Sequence, residues 1–367
     1  MPTIVSKLNS ILVTGVQEGA SDWHIREAHP IVLRIDGTLH EIEGFVPDRE
    51  FFMSAVREIT NEKMIEKFEE TGDADFAFEE EGAGRFRANL HKQRGLMAMT
   101  LRHVKSNVPP LESLGLPRII HNIAEFERGI VLVTGTTGSG KSTTMACMLE
   151  HMNTTKNRHI ITIEDPIEYA FSDKKCIFEQ REVGIDVITF QSALSHALRQ
   201  DPDVIVVGEM RDRVSLEAAI AASDTGHLVM STLHTANAGQ SINRILDMYP
   251  HEERDAMRKA LAENVKAIVC QRLVPRASGK GVVPCNEILI NTSTIKKIIL
   301  EDHIDKIENA IAAGREFGMM TFDQRLLELV NEGQITEEAA LEKSNNPEAL
   351  TMNLKGIFLG TDSGILS

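Results

Sequence analysis

Gly135-Thr136-Thr137-Gly138-Ser139-Gly140-Lys141-Ser142 follows directly on the apolar run Ile130-Val131-Leu132-Val133. The eight residues have the spacing of a Walker A loop, GxxxxGK[ST]. Glycine at three positions lets the backbone curl so that successive N–H groups point at phosphate oxygens. Lys141 then reaches the β and γ oxygens, and the Ser142 hydroxyl ligates Mg²⁺. Thr143 closes the nucleotide-binding set, and the stretch from Lys141 onward (KSTTMACMLEHM) reads as a helix whose N-terminus faces the anion. Strand, phosphate loop and helix in this order imply a nucleoside triphosphate site.

Working outward, three further apolar runs share a rule with the first. Ile160 to Ile163 ends before Glu164-Asp165, Val204 to Val207 before Gly208-Glu209, and Leu228 to Thr232 before His234. In a parallel α/β sheet ligands sit at the carboxyl ends of the strands, so these four tips are expected to converge on one crevice. Glu209 then closes a Walker-B-like strand and holds the Mg²⁺ shell directly or through water; the alternative is a strand-end acid that only solvates. Glu164 orients, or takes a proton from, a water in line with the γ-phosphate, unless Asp165-Pro166 is merely a turn and Glu164 its solvated neighbour. His227 and His234 flank the fourth strand without an HExxH or Cys/His partner, so zinc is not indicated there; each is a phosphate sensor or a structural histidine.

Before this region, the first ~105 residues read as a small α+β unit. Ile4 to Val16 has helical periodicity, and Ile31 to Ile35 meets Asp36-Gly37, a two-residue hairpin signal. One helix from about Asp48 to Glu70 carries Phe52, Val56, Ile59, Met64 and Phe68 on one face. Phe76 to Phe78, Arg85 to Leu90 and Leu96 to Val104 form a meander, in or between whose strands Arg85, Arg87, Arg94 and Arg102 lie. P-loop enzymes often complete charge neutralisation with an arginine from another domain or subunit, which makes this meander a candidate donor surface; a solvated basic face is the alternative. Ser106-Asn107-Val108-Pro109-Pro110 opens an interdomain linker over 106–115, and 116–367 forms the nucleotide-binding domain. From Glu252 onward the pattern is largely helical, with Leu261, Val265, Ile268 and Val269 in one stripe and further patterns at 304–313 and 321–332. Phe358 to Ser367 shows no pattern.

Composition narrows the classes. Lys+Arg 39 against Asp+Glu 54 gives a net charge of −15, which argues against broad binding to DNA or acidic lipid. There is no run of 18 apolar residues and no signal peptide pattern at Met1-Pro2-Thr3-Ile4, so a cytoplasmic protein without direct membrane insertion is expected. Cys147, Cys176, Cys270 and Cys285 never approach CxxC spacing, so they indicate neither a zinc module nor a disulfide framework.

The chain resembles the PilT/PilU twitching-motility ATPases of the type II/type IV secretion ATPase superfamily. The resemblance rests on Ser21-Asp22-Trp23-His24, Gly84-Arg85-Phe86-Arg87, the P-loop, Thr162-Ile163-Glu164-Asp165-Pro166-Ile167-Glu168-Tyr169, Gln180-Arg181-Glu182-Val183-Gly184, Gly208-Glu209-Met210-Arg211 and the stretch Gly226 to His234, in family order. It implies a PAS-like α+β N-terminal domain, a RecA-like α/β P-loop ATPase domain with a helical C-terminal region, and a homo-hexamer with nucleotide at the subunit interfaces. It further implies ATP and Mg²⁺, Glu164 as the group that polarises water and Glu209 as the Walker B acid. Arg87, Arg102 and Arg199 would approach the γ-phosphate, and Ser195 stands where many relatives carry a second basic residue. The implied work is pilus retraction through an inner-membrane platform protein, with the chain peripherally associated with that membrane. Absence of a tetracysteine module and of a longer N-terminal region favours retraction over extension or secretion. Gly318 to Gln324 and Asn107-Val108-Pro109 look more like PilU than PilT, and Thr294 to Glu301 departs from the motif of the PilT branch. A principal motor and an accessory dependent on a paralogous retraction ATPase therefore both stay open.

Overall fold

The structure, a computed structural model, describes residues 6–357. The Ile4 end of the first periodic segment and the stretch Phe358 to Ser367 lie outside the described residues. By its internal contacts the chain divides into two compact units, Met1–Asn107 with Ile167–Ser172, and Val108–Pro166 with Asp173–Ser367.

In the first unit, β1 (Ala20–Arg26), β2 (Val32–Ile35), β3 (Thr38–Glu41), β4 (Asp73–Glu80), β5 (Gly84–Gln93) and β6 (Leu96–His103) form one sheet in the order β3-β2-β1-β6-β5-β4. All its pairings are antiparallel. Asp36 and Gly37 both take positive φ, 48° and 79°, as the primed two-residue hairpin turn between β2 and β3 requires. β1 is hidden in the sequence because the polar Ser21, Asp22 and His24 surround Trp23, with Asp22 itself buried; Trp23 is fully buried edge-to-face against Phe86 at 5.3 Å. Helix α1 is Lys7–Gln17. The single helix expected over 48–70 is two, α2 (Arg49–Ile59) and α3 (Glu62–Thr71). Thr60 is extended, and the Asn61 side chain accepts the Met64 N–H, so a new N-cap restarts the helix. Residues 167–172 join this unit because Tyr169 bridges Lys105 in parallel and the Ala170 N–H donates to the Lys105 carbonyl at 2.9 Å.

The second unit takes up the chain at Val108. Within the segment expected as a linker, Leu111–Leu114 forms a 3₁₀ turn and Leu111 is buried. After α4 (Ile119–Ala124) come β7 (Gly129–Thr134), α5 (Lys141–Thr155), β8 (His159–Glu164), β9 (Ile177–Glu182), α6 (Phe190–Ala197), β10 (Val204–Val207), α7 (Arg213–Asp224), β11 (Leu228–Leu233), α8 (Ala238–Leu246) and α9 (Arg254–Asn264). The stripe expected as helical past Leu261 is instead β12 (Val265–Pro275), paired antiparallel with β13 (Val282–Ile290). Helices α10 (Ser293–Leu300), α11 (Ile307–Ala313), α12 (Phe322–Asn331), α13 (Glu337–Lys343) and α14 (Pro347–Leu354) follow. The seven strands lie in the order β13-β12-β7-β11-β10-β8-β9, parallel from β12 to β9. β7 and β10 are buried at every position, as parallel strands covered on both faces should be.

Candidate active site

Because β12 through β9 run parallel, their carboxyl ends share one edge, and the backbone there interlocks. The Gly135 N–H donates to Leu233 O at 3.2 Å, Gly208 N–H to Ile163 O at 2.8 Å, and Met210 N–H to Thr232 O at 3.2 Å. The Thr232 hydroxyl donates to Gly208 O at 2.6 Å. The P-loop, His234, Glu209 and Glu164 thus stand at the ends of the adjacent strands β7, β11, β10 and β8, where the sequence places them.

The loop itself is a phosphate cradle. Gly135, Gly138 and Gly140 have φ of 150°, 78° and 85°. A Cβ on Gly135 would come 2.5 Å from both Gln271 O and Ser139 Oγ, so only glycine lets the chain pass here. Lys141 Nζ donates to the carbonyls of Gly135 at 2.8 Å and Thr136 at 3.1 Å, spanning the loop. Ser139 Oγ is buried with no hydrogen-bond partner, a polar atom that a phosphate oxygen would satisfy. Thr136, Thr137 and Gly138 are exposed, whereas Ser142 and Thr143 are half-buried in the first turn of α5. A cavity of about 270 Å³ lies over Thr137 and Ser139 and extends to Ala236, Arg272, Leu273 and Lys343.

Beneath the loop sits a group that the sequence reading missed. Gln271, buried on β12 one residue past the Cys270–Thr134 pairing, donates from Nε2 to Ser139 O at 2.7 Å. Its Oε1 accepts from the Thr144 hydroxyl at 2.8 Å and from Asn286 Nδ2 at 3.1 Å. One buried amide therefore ties the loop, helix α5 and strand β13 together. The signal is a glutamine, followed by Arg272, inside the otherwise apolar stretch Ala267 to Val274, legible only once that stretch is read as a strand.

The acids are held by different partners. Glu164 Oε1 accepts from the Thr162 hydroxyl at 2.6 Å and from Gln180 Nε2 at 3.1 Å. Glu209 lies between two bases, with Arg211 Nε 2.7 Å from Oε2 and His234 Nε2 3.7 Å from Oε1. That hydrogen bond and charge raise the Arg211 pKa above its ordinary value. Ser142 and Glu209 offer only hard oxygen donors, a set suited to Mg²⁺.

Other candidates fall elsewhere. His227 precedes β11, roughly 20 Å of extended chain from His234. Its Nδ1 lies 2.9 Å from Ala222 O and 3.0 Å from Thr225 Oγ1, where it closes the end of α7. Arg199 is exposed at the sheet's amino edge, two residues before Asp201, whose carbonyl meets His159 Nδ1 at 3.1 Å at the start of β8. The P-loop is at the opposite edge, so the fold does not bring Arg199 to it within one chain. Arg87 and Arg102 belong to the first unit, directly opposite each other on β5 and β6. Arg102 Nε donates to Asp22 at 2.8 Å. Burial opposes ionisation of Asp22, but the hydrogen bond from Ser21 and the ion pair with Arg102 outweigh it and hold the carboxyl below its usual range.

One buried acid sets a pH dependence. Glu287 on β13 accepts the Ala238 N–H at 2.7 Å, at the start of the helix that follows the His234 loop. Burial pushes its pKa from 4.5 up to about 7, against that hydrogen bond. The folded chain then binds a proton that the unfolded chain has released, so this stability is present below pH 4.5 and is lost as pH rises through about 7. Glu287→Gln should escape the loss. Urea unfolding is expected to show the variant gaining on the native chain by on the order of 3 kcal/mol between pH 4.5 and 8, and a pH-independent difference would refute the assignment.

Sheet order, phosphate cradle and strand-end acids together define a RecA-like P-loop ATPase. The chain belongs to the family described as Type II/IV secretion system protein, whose model matches residues 2–361. It is 41% identical over 341 residues to the type IV pilus retraction ATPase PilT of Pseudomonas aeruginosa, covering 93% of this chain and 99% of that one. It is 38% identical to the type IV pilus ATPase PilU of the same organism, covering 95% and 90%. Among solved structures, that of the pilus retraction motor PilT with bound ADP superposes with a TM-score of 0.84 at 41% identity, covering 94% of this chain and 98% of that chain. The Legionella pneumophila ATPase DotB superposes with a TM-score of 0.75 at 26% identity, covering 91% and 93%.

Proposed function

We propose that this chain is the ATPase of a type IV pilus retraction machine and powers twitching motility. The observation that carries this is the PilT match, which runs over nearly the full length of both chains rather than over the nucleotide domain alone. The secretion ATPases of Vibrio cholerae and Aeromonas hydrophila align over only 50% and 54% of their own length.

In this reading the P-loop N–H groups, Lys141 and Ser139 Oγ bind the phosphates, and the cavity bounded by Arg272, Leu273 and Lys343 receives the nucleoside. Ser142 and Glu209 would hold Mg²⁺, which when bound neutralises charge on the phosphate oxygens. Glu164 orients water and takes its proton. Arg211 and His234 fix the Glu209 carboxylate from two sides. Arg87, Arg102 and Arg199 would act across subunits of a homo-hexamer, consistent with Arg199 standing at the sheet edge away from its own P-loop. No helix among the described residues is long and apolar enough to cross a membrane. In this reading force would pass to the pilus through an inner-membrane platform protein.

The test is a count of surface pili, with twitching assayed alongside, in cells lacking the gene and in cells carrying Glu209→Gln. Both should be heavily piliated and immobile, with the purified variant binding ATP but turning it over little. Bald cells would reverse the direction to extension or secretion. Normal piliation and motility would make the chain an accessory to a paralogous motor.

A further inference from the structure

Away from the nucleotide, at the start of the second unit, two histidines and two carboxylates from three segments meet at the surface. Glu112 lies in the 3₁₀ turn Leu111–Leu114, His121 on α4, Glu125 at the end of α4, and His151 on α5. Glu112 Oε1 is 3.2 Å from His121 Nε2, and Glu125 Oε1 is 3.3 Å from His151 Nε2. The two imidazoles meet edge to face with centroids 5.2 Å apart. A donor atom from each of Glu112, His121 and His151 lies within 4.8 Å of the other two.

From this geometry we propose that Glu112, His121 and His151 form a binding site for a divalent transition-metal ion of the zinc class, with Glu125 or water in the fourth position. Tetrahedral zinc with bonds of about 2.0–2.1 Å places adjacent donors about 3.3 Å apart. Both His–Glu pairs already have that separation. What remains is to draw the pairs together, and Glu112 can follow because its side chain is 68% exposed on a short turn. The histidines are the less mobile half, at 27% and 16% side-chain exposure. Imidazole with carboxylate selects zinc-class ions over Mg²⁺, which prefers all-oxygen octahedra, so the site would not compete for the ion at Ser142 and Glu209. Beside it opens a cavity of about 300 Å³ between Val108, Glu112, Cys147 and His151, which gives an ion access. The Cys147 thiol is turned away to the Pro109 carbonyl at 3.0 Å, so the ligands are nitrogen and oxygen only.

The placement gives the ion a consequence. His151 is ten residues along α5 from Lys141, roughly 15 Å on the same rigid helix. Glu112 is four residues after the chain enters this unit at Val108. A bound ion would clamp the entering segment and α4 to the helix that carries the phosphate loop.

The experiment titrates the chelator-treated, nucleotide-free full chain with Zn²⁺ by calorimetry and with Co²⁺ by absorption spectroscopy, using Mg²⁺ as the control. The expected result is one saturable Zn²⁺ site per chain, a higher Tm with Zn²⁺, and a Co²⁺ spectrum with d–d bands but no thiolate charge-transfer band. His121→Ala with His151→Ala should abolish the site, and the surface variant Glu112→Gln, which removes no packing, should weaken it roughly tenfold or more. Absence of saturable binding, binding unchanged in Glu112→Gln, or a thiolate band would overturn the proposal. The two pairs would then be hydrogen-bonded structural histidines.

Discussion

Replacing Glu164 by glutamine is expected to lower ATP turnover by roughly 10²–10⁴-fold while leaving ADP affinity within about twofold. The argument is local. Thr162 and Gln180 both donate to Oε1 of Glu164. An amide oxygen accepts the same two bonds, so the substitution keeps the shape and these two hydrogen bonds while removing the negative charge and with it the capacity to take a proton. Gly208, where a Cβ would come 3.3 Å from Ile163 O, packs the next strand end against this one and fixes where the side chain starts. The variant should therefore trap ATP rather than fail to bind it. Glu209→Gln should have a different signature: in the proposed site that carboxylate would help hold Mg²⁺, so the Mg²⁺ dependence of nucleotide binding should change as well. A Glu164→Gln enzyme that turns over within tenfold of the native chain would remove this residue from the reaction and leave the strand-end water to another group.

These residues were legible in the sequence because their signals are contiguous. A Walker A loop needs eight adjacent positions, and each strand-end acid is announced by the apolar run before it. Signals spread over distant segments were lost. Leu261, Val265, Ile268 and Val269 fall at helical intervals, yet only Leu261 is helical. β12 is buried on both faces, so it shows no alternation that would betray a strand. Asn61 is easily missed as a cap because the five-residue step from Ile59 to Met64 is close enough to helical spacing to hide the break. Tyr169 sits in a sequence motif of the second unit but pairs with Lys105 in the first, a long-range contact that no local pattern encodes. Arg199 and His227 carried the right chemistry for the site, and only the direction of the strands shows that they stand at its opposite edge.

Misreading β12 also hid Gln271, whose replacement by methionine is the second large effect expected. Methionine nearly matches glutamine in length and volume, so little cavity forms and the loss is polar. Three partners lose their bonds at once: the Ser139 carbonyl, the Thr144 hydroxyl and the Asn286 amide. Ser139, Thr144 and Asn286 are buried, so water does not readily replace the amide. At about 1–3 kcal/mol for each unsatisfied buried group, a net loss of roughly 3–5 kcal/mol is expected. Part of it should appear as loosening of the phosphate loop, because the Ser139 carbonyl lies in the loop itself. ADP affinity should then fall at least about tenfold, and saturating ADP should recover part of the lost Tm, since a ligand that binds only the ordered loop repays its ordering. Denaturation with and without ADP separates the possibilities. A Gln271→Met chain that loses stability but binds ADP as tightly as the native chain would confine the glutamine to holding β12, β13 and α5 together. Weakened binding with ADP-dependent rescue would establish that it positions the loop.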